Sequence, residues 1–177
     1  MDRSDCVLVV VDVQEKLAAT MPDRDELVRR LLVLIRGARI LGIPVWLTEQ
    51  IPEKLGATLA EIREAAGAAP IGKSTFSCMG CGEFRERVEA AFRRTFLVCG
   101  IEAHVCVYQT ARDLLQAGLE VEVVADAVAS RDPANRGLAL DRLARIGVGI
   151  ASTEMLLFDL LGKAGTEEFR AILRLVK

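Results

Sequence analysis

The chain opens with a run that never alternates: Cys6-Val-Leu-Val-Val-Val, closed by Asp12. A strand with one wet face carries polar residues at every second position, whereas a strand covered on both faces reads as continuous β-branched sequence. This segment is therefore expected to be a central parallel strand. Runs of the same kind recur at 43–48, 95–100, 119–125 and 148–152, with a shorter one at 70–73. Between them the period changes. From 25 to 41, Leu27, Leu31, Leu34, Ile35 and Ala38 hold the three- and four-residue spacing of one helix face, and Gly42-Ile-Pro44 ends it. Phe84, Val88 and Ala91 repeat the pattern over 83–92, and Val107, Ala111 and Leu114 over 104–117. Asp132-Pro133 supplies an N-cap and a first-turn proline for a helix through Leu140, Leu143 and Ala144. Phe169, Ile172, Leu173 and Val176 mark a last helix.

Strands alternating with helices imply βαβ units that close right-handed into a mostly parallel, Rossmann-like sheet with helices on both faces. The expected fold is a three-layer α/β/α sandwich. No repeat, low-complexity tract or linker interrupts it, and the Gly- and Ala-rich patch at 64–69 is too short to divide domains, so residues 1–177 are read as one domain.

Composition narrows the partners. With 177 residues, 51% of them hydrophobic and a net charge of only −2, the chain has no basic face to neutralise phosphates or anionic lipid. Nucleic acid and membrane are excluded as expected partners, and a small-molecule substrate remains. Five cysteines, an odd number, behind an N-terminus without signal-peptide character point to reduced thiols and a cytoplasmic location.

In parallel sheets, ligands bind beyond the carboxyl ends of the strands. That rule selects Asp12, Thr48-Glu49-Gln50, Lys73, the segment 101–106, Asp126 and Ser152-Thr153. The loop after the first strand, Asp12-Val-Gln14-Glu-Lys16, has neither G-x-G-x-x-G nor G-x-x-x-x-G-K-[ST], so no nucleotide cofactor is expected. Cys106 falls near the start of the helix that runs to 117. Helix N-terminal charge lowers a thiol pKa, and free N–H groups there can hold an oxyanion. Taken alone, Cys106 reads equally well as a small buried core residue. Lys73 and Asp12 tip that balance, because both follow strands that reach the same sheet edge. A lysine would favour thiolate, and a carboxylate can take the thiol proton and return it to a leaving group.

Other candidates have plainer readings. Cys78-Met-Gly-Cys81 lacks the second pair that a zinc site needs and reads as a loop packed near the following helix. His104, two residues before Cys106, does not share its helix face and is assigned a surface or structural role. Cys6 and Cys99 lie inside apolar strands as inert core residues. Asp126 and Ser130-Arg131-Asp132 read as a capped helix start with a local ion pair.

Four motifs in order carry a resemblance: Val9-Val-Val-Asp12-Val-Gln14, Lys73-Ser-Thr-Phe76-Ser, Cys99-Gly-Ile-Glu-Ala-His-Val-Cys106-Val-Tyr-Gln-Thr-Ala111, and Val123-Val-Ala-Asp126-Ala-Val-Ala-Ser130-Arg131. The chain resembles the isochorismatase-like cysteine hydrolases, in the branch of isochorismatase domain-containing proteins, from about residue 6 to 153. The resemblance implies an Asp12–Lys73–Cys106 triad and an oxyanion hole from the backbone N–H groups of Val105 and Cys106. It further implies a cis peptide between Ile101 and Glu102, and a pocket lined by Gln14, Gln50 and Phe76. Homo-oligomers are the rule in the family. Relatives that hydrolyse nicotinamide carry an aspartate and two histidines for a metal, and no histidine occurs in 46–72, so no metal is expected. Isochorismate vinyl-ether hydrolases lack the nucleophilic cysteine. The expected activity is metal-independent hydrolysis of an amide, imide or ester-like molecule through an acyl-enzyme at Cys106. The alternative is a thiol-based redox sensor or a non-catalytic assembly protein on the same fold.

Overall fold

The computed structural model describes Met1–Lys177. Six strands form one parallel sheet: β1 (Cys6–Val11), β2 (Val45–Gln50), β3 (Pro70–Lys73), β4 (Thr95–Ile101), β5 (Glu120–Ala129) and β6 (Gly149–Ala151). Their spatial order is β3-β2-β1-β4-β5-β6. Helices α1 (Glu15–Ala18), α2 (Arg24–Ile40), α3 (Pro52–Leu55), α4 (Ala60–Ala66), α5 (Gly82–Ala91), α6 (Tyr108–Gln116), α7 (Pro133–Arg145), α8 (Thr153–Leu161) and α9 (Glu167–Val176) complete the chain. The layer of α2, α4, α8 and α9 covers one face and that of α5, α6 and α7 the other, the three-layer α/β/α sandwich that the periodicity predicts. No helix is long and apolar enough to cross a membrane.

The winding explains where chemistry can sit. The chain leaves β1 toward β2 and β3, then crosses back to β4 on the opposite side of β1, so β1 and β4 are neighbours at the point where direction reverses. Connections diverge to opposite faces there, which opens a crevice beyond the carboxyl ends. All of β1 is buried, as its unbroken apolar run requires. Gly100 holds the two strands together at the crevice floor. Its φ is +110°, and a Cβ there would strike the Val11 carbonyl oxygen, so only glycine permits this approach.

Several boundaries differ from the sequence reading for identifiable reasons. β2 begins two residues later than expected, because Pro44 has no N–H to give to a ladder; only its carbonyl joins, accepting from Leu8 N–H at 2.9 Å. β5 runs on to Ala129 through a bulge: Val98 faces Val123, but Gly100 already faces Val128. The helix expected from 104 starts as a π-helical turn, Ala103–Val107, that hands over to α6. α4 (Ala60–Ala66), which the sequence reading does not predict, runs into the Gly- and Ala-rich patch, and α8 is likewise not predicted, its Met155, Leu156, Leu157, Phe158, Leu160 and Leu161 blurring any single apolar stripe.

Candidate active site

Asp12 ends β1 with a left-handed backbone, φ +52°, which aspartate tolerates better than most residues. It is wholly buried, and its carboxylate is fully engaged: Oδ1 accepts from Thr48 Oγ1 at 2.7 Å and Oδ2 from Lys73 Nζ at 2.6 Å. Lys73 is the last residue of β3, paired in register with Gln50 of β2. Its ammonium also donates to Gln50 Oε1 at 2.7 Å and faces the carbonyls of Thr75 and Phe76, each at 3.2 Å. Three N–H bonds thus meet four acceptors, and no donor is left over for a free anion. Burial works against the Lys73 charge, but the Asp12 carboxylate overrides it and holds the ammonium above its ordinary pKa.

Cys106 reaches the same carboxylate from the β4 side. It stands in the π-helical turn that follows β4, only 6% exposed, where the Asp12 and Lys73 charges both act on its thiol. Burial raises the thiol pKa first and Asp12 raises it further, with Lys73 opposing. Lys73 favours the thiolate as expected, but burial and the Asp12 charge outweigh it, so the net shift is upward where the sequence reading expects an acidified thiol. The Ile101–Glu102 peptide is cis, as the resemblance implies. Of the two amides assigned to an oxyanion hole, Val105 N–H donates to the Glu102 carbonyl at 3.1 Å and would serve an oxyanion as a shared donor.

The isochorismatase domain model matches residues 6–155, the stretch that holds every one of these groups. The chain belongs to the isochorismatase domain family. Isochorismatase domain-containing protein 2 of Pongo abelii is 37% identical over 172 residues, 97% of this chain and 82% of the relative. Among solved structures, the MAR1 ribonuclease of Caenorhabditis elegans is 35% identical with a TM-score of 0.92, covering 99% of this chain and 91% of that one. YcaC from Pseudomonas aeruginosa, solved with hexane-2,5-diol and covalent acrylamide, is 26% identical with a TM-score of 0.91, covering 98% of this chain and 89% of the other.

Within this isochorismatase domain the three residues assigned to the pocket fall in different places. Gln50 joins the centre directly, with Oε1 on Lys73 and Nε2 on the Ser74 carbonyl at 2.9 Å. Gln14 is completely buried, and both ends of its amide bond to backbone: Nε2 to the carbonyls of Gln50 and Gly56, Oε1 to Gln50 N–H. It braces β2 against the loop before α4. Phe76 is 55% exposed on the loop whose carbonyls hold Lys73.

Two residues were not singled out for the centre by sequence reasoning. Thr48, selected by the strand-end rule without a role, orients Asp12. Cys78 is buried with Sγ 3.8 Å from Thr48 Oγ1, and burial pushes its pKa up to about 11. No sequence signal separates it from a packing cysteine, because the contact joins the turn after β3 to a side chain of β2, 30 positions away. The remaining candidates lie apart from the thiol. His104 Nδ1 pairs with Ser130 Oγ at 2.9 Å. Asp132 caps α7 through Ala134 N–H at 2.9 Å, and Arg131 holds the Glu102 carboxylate through its N–H at 2.9 Å and Nε at 3.1 Å. Asp126 lies in the β5 bulge and accepts from Thr153 at the start of α8. Cys6 and Cys99 are buried within their strands.

Proposed function

We propose that this isochorismatase domain is a metal-independent cysteine hydrolase of amide, imide or ester-like small molecules, with Asp12, Lys73 and Cys106 as its catalytic triad. The observation that carries the reading is the buried Asp12–Lys73 pair at 2.6 Å, set at the same crevice as the buried Cys106. Asp12 takes the Cys106 proton as sulfur attacks the carbonyl carbon, so thiolate forms only with a substrate in place. The oxyanion is held by the N–H of Cys106, with Val105 N–H as a shared second donor. Collapse gives an acyl-enzyme while Asp12 protonates the leaving amine or alcohol, and water then releases the acid. Asp12 and Lys73 compensate each other, so the centre offers a neutral acyl group no uncompensated charge. That same neutrality disfavours phosphodiester chemistry of the kind named for the nematode neighbour, which would need a free cation on phosphate.

Gln50 and Phe76 form the substrate side of the centre in this reading, with Gln14 as the support behind them. Covalent acrylamide in the Pseudomonas neighbour is compatible with attack by a soft nucleophile on such a fold. The free state of all five cysteines supports a cytoplasmic location. Large apolar side chains left in water, Phe92 at 93% and Leu138 at 66% exposed, support a homo-oligomer.

The test is a panel of small amides, imides and activated esters followed by intact-mass detection of an acyl adduct. The expected result is an adduct mapping to Cys106 and absent from Cys106→Ala. Turnover that survives Cys106→Ala overturns the mechanism, and no turnover together with reversible thiol loss under mild oxidant moves the redox reading ahead.

A further inference from the structure

Cys78 is a buried nucleophile that the hydrolytic cycle leaves unused. It begins the short 3-10 turn Cys78–Gly80 after the Lys73 loop, and two contacts fix it beside the active thiol. Its N–H donates to Thr110 Oγ1 at 2.9 Å, and Thr110 lies four residues beyond Cys106, one turn along the same side of the helical segment. Its sulfur lies 3.8 Å from the hydroxyl of Thr48, which donates to Asp12 Oδ1 at 2.7 Å. The charge of that same carboxylate bears on the Cys106 thiol, buried in the turn after β4. Two thiols therefore flank one base, and a continuous hydrogen-bonded path, Cys78 to Thr48 to Asp12, connects the second thiol to it. Cys81, the other half of the C-x-x-C, has its sulfur 3.8 Å from the Gly72 carbonyl instead and takes no part in this path.

We propose that Cys78 is the resolving thiol of Cys106: when a hydroperoxide oxidises the nucleophile, a reversible Cys78–Cys106 disulfide closes over the site. The proposal rests on Cys106 being the reactive thiol of the hydrolase reading. In the first step Asp12 takes the Cys106 proton as the sulfur attacks the peroxide, the O–O bond breaks, and a sulfenic acid forms while that proton leaves with the released alcohol or water. In the second, the Cys78 sulfur attacks the Cys106 sulfur, the S–S bond forms and the S–O bond breaks. The Cys78 proton passes through the Thr48 hydroxyl to Asp12 and neutralises the departing hydroxide as water. Two thiols lose two electrons and one hydroperoxide gains them. The disulfide silences hydrolysis, and it keeps Cys106 from the sulfinic state, which thiols do not reverse.

The experiment treats the full chain with a small molar excess of hydrogen peroxide, at least two equivalents per chain, blocks remaining thiols with iodoacetamide, and maps peptides without reduction. The expected result in wild type is a loss of two hydrogens and a Cys78–Cys106 linked peptide that dithiothreitol abolishes. In Cys78→Ala, or in Cys78→Ser if the alanine variant does not fold, Cys106 is expected to carry two added oxygens instead. Oxygen added at Cys106 of the wild type with Cys78 still free, or a Cys78–Cys81 link in its place, overturns this proposal and leaves the hydrolase reading standing. A Cys106 that neither gains oxygen nor forms a link overturns this proposal alone, because the hydrolase reading is decided by the acyl adduct.

Discussion

Asp12 and Asp126 are two aspartates near the carboxyl end of one sheet, and each accepts a hydrogen bond from a threonine hydroxyl, at 2.7 and 2.9 Å. Their settings differ in enclosure and in charge. Asp12 ends the central strand at the switch point, completely buried, with an ammonium at 2.6 Å and a thiol beside it. Asp126 sits in a bulge of β5, with its side chain 28% exposed, Arg30 at 3.8 Å, and Thr153 N–H at 2.7 Å. One acid is paired with an ammonium where water cannot serve it, the setting the proposed base role needs. The other is partly hydrated and caps a helix. Residue type and strand-end position are shared, so neither makes an acid chemical. A dry site with a fixed counter-charge and an exchangeable proton does.

The sharpest break in this comparison is Asp12→Asn against Asp126→Asn. Asp12→Asn is expected to cut turnover by about 10²–10⁴-fold through loss of the base. The same change removes the negative charge that raises the Cys106 thiol, so iodoacetamide should alkylate Cys106 at a lower pH than in wild type. Asp126→Asn should move neither readout. An alkylation profile unchanged in Asp12→Asn would show that the carboxylate does not govern the sulfur.

Stability separates the two counter-ions next. Lys73→Met leaves a buried, unpaired carboxylate and should cost about 3–5 kcal/mol in urea unfolding, with a substantial part recovered in the double variant Asp12→Asn/Lys73→Met. Arg30→Met beside the hydrated Asp126 should cost no more than about 1 kcal/mol. Equal losses in the two would erase the distinction between the sites.

Smaller effects sharpen the same contrast. Asp126→Ala removes the acceptor for Thr153 N–H at the head of α8 and should cost about 0.5–2 kcal/mol, the range of a lost helix cap, without altering Cys106 alkylation. The pH dependence follows from Lys73, whose pKa is raised on folding from the ordinary 10.5. Because the folded state binds this proton more tightly, its contribution is full below about pH 10.5 and is lost as pH climbs through the higher folded value. Melting temperatures from pH 9 to 12 should fall less steeply in the double variant than in wild type.

Much of this molecule was readable in one dimension. The unbroken Val run of β1, the helical spacing of α2 and the capped start of α7 depend on neighbours within a few residues, and they appeared where periodicity put them. So did the strand-end positions of Asp12 and Lys73, since a parallel sheet delivers its carboxyl ends to one edge, whereas Asp126 fell inside β5. The bulge in β5 left no mark, because it arises from how β4 and β5 fit past Gly100. α8 left none either, its crowd of apolar residues blurring any single stripe.

What the sequence determined, then, is the layer architecture and the list of residues able to meet at the β1/β4 crevice. Only the tertiary structure decided their surroundings: that burial first and Asp12 next raise the Cys106 thiol while Lys73 opposes, that Gln14 is a brace, and that Cys78 stands by Thr48 on the same acid. The reason is physical. Periodicity encodes which side of an element is buried, whereas the state of a proton depends on desolvation and on charges a few ångströms away, such as the Asp12–Lys73 pair, 61 positions apart in the chain.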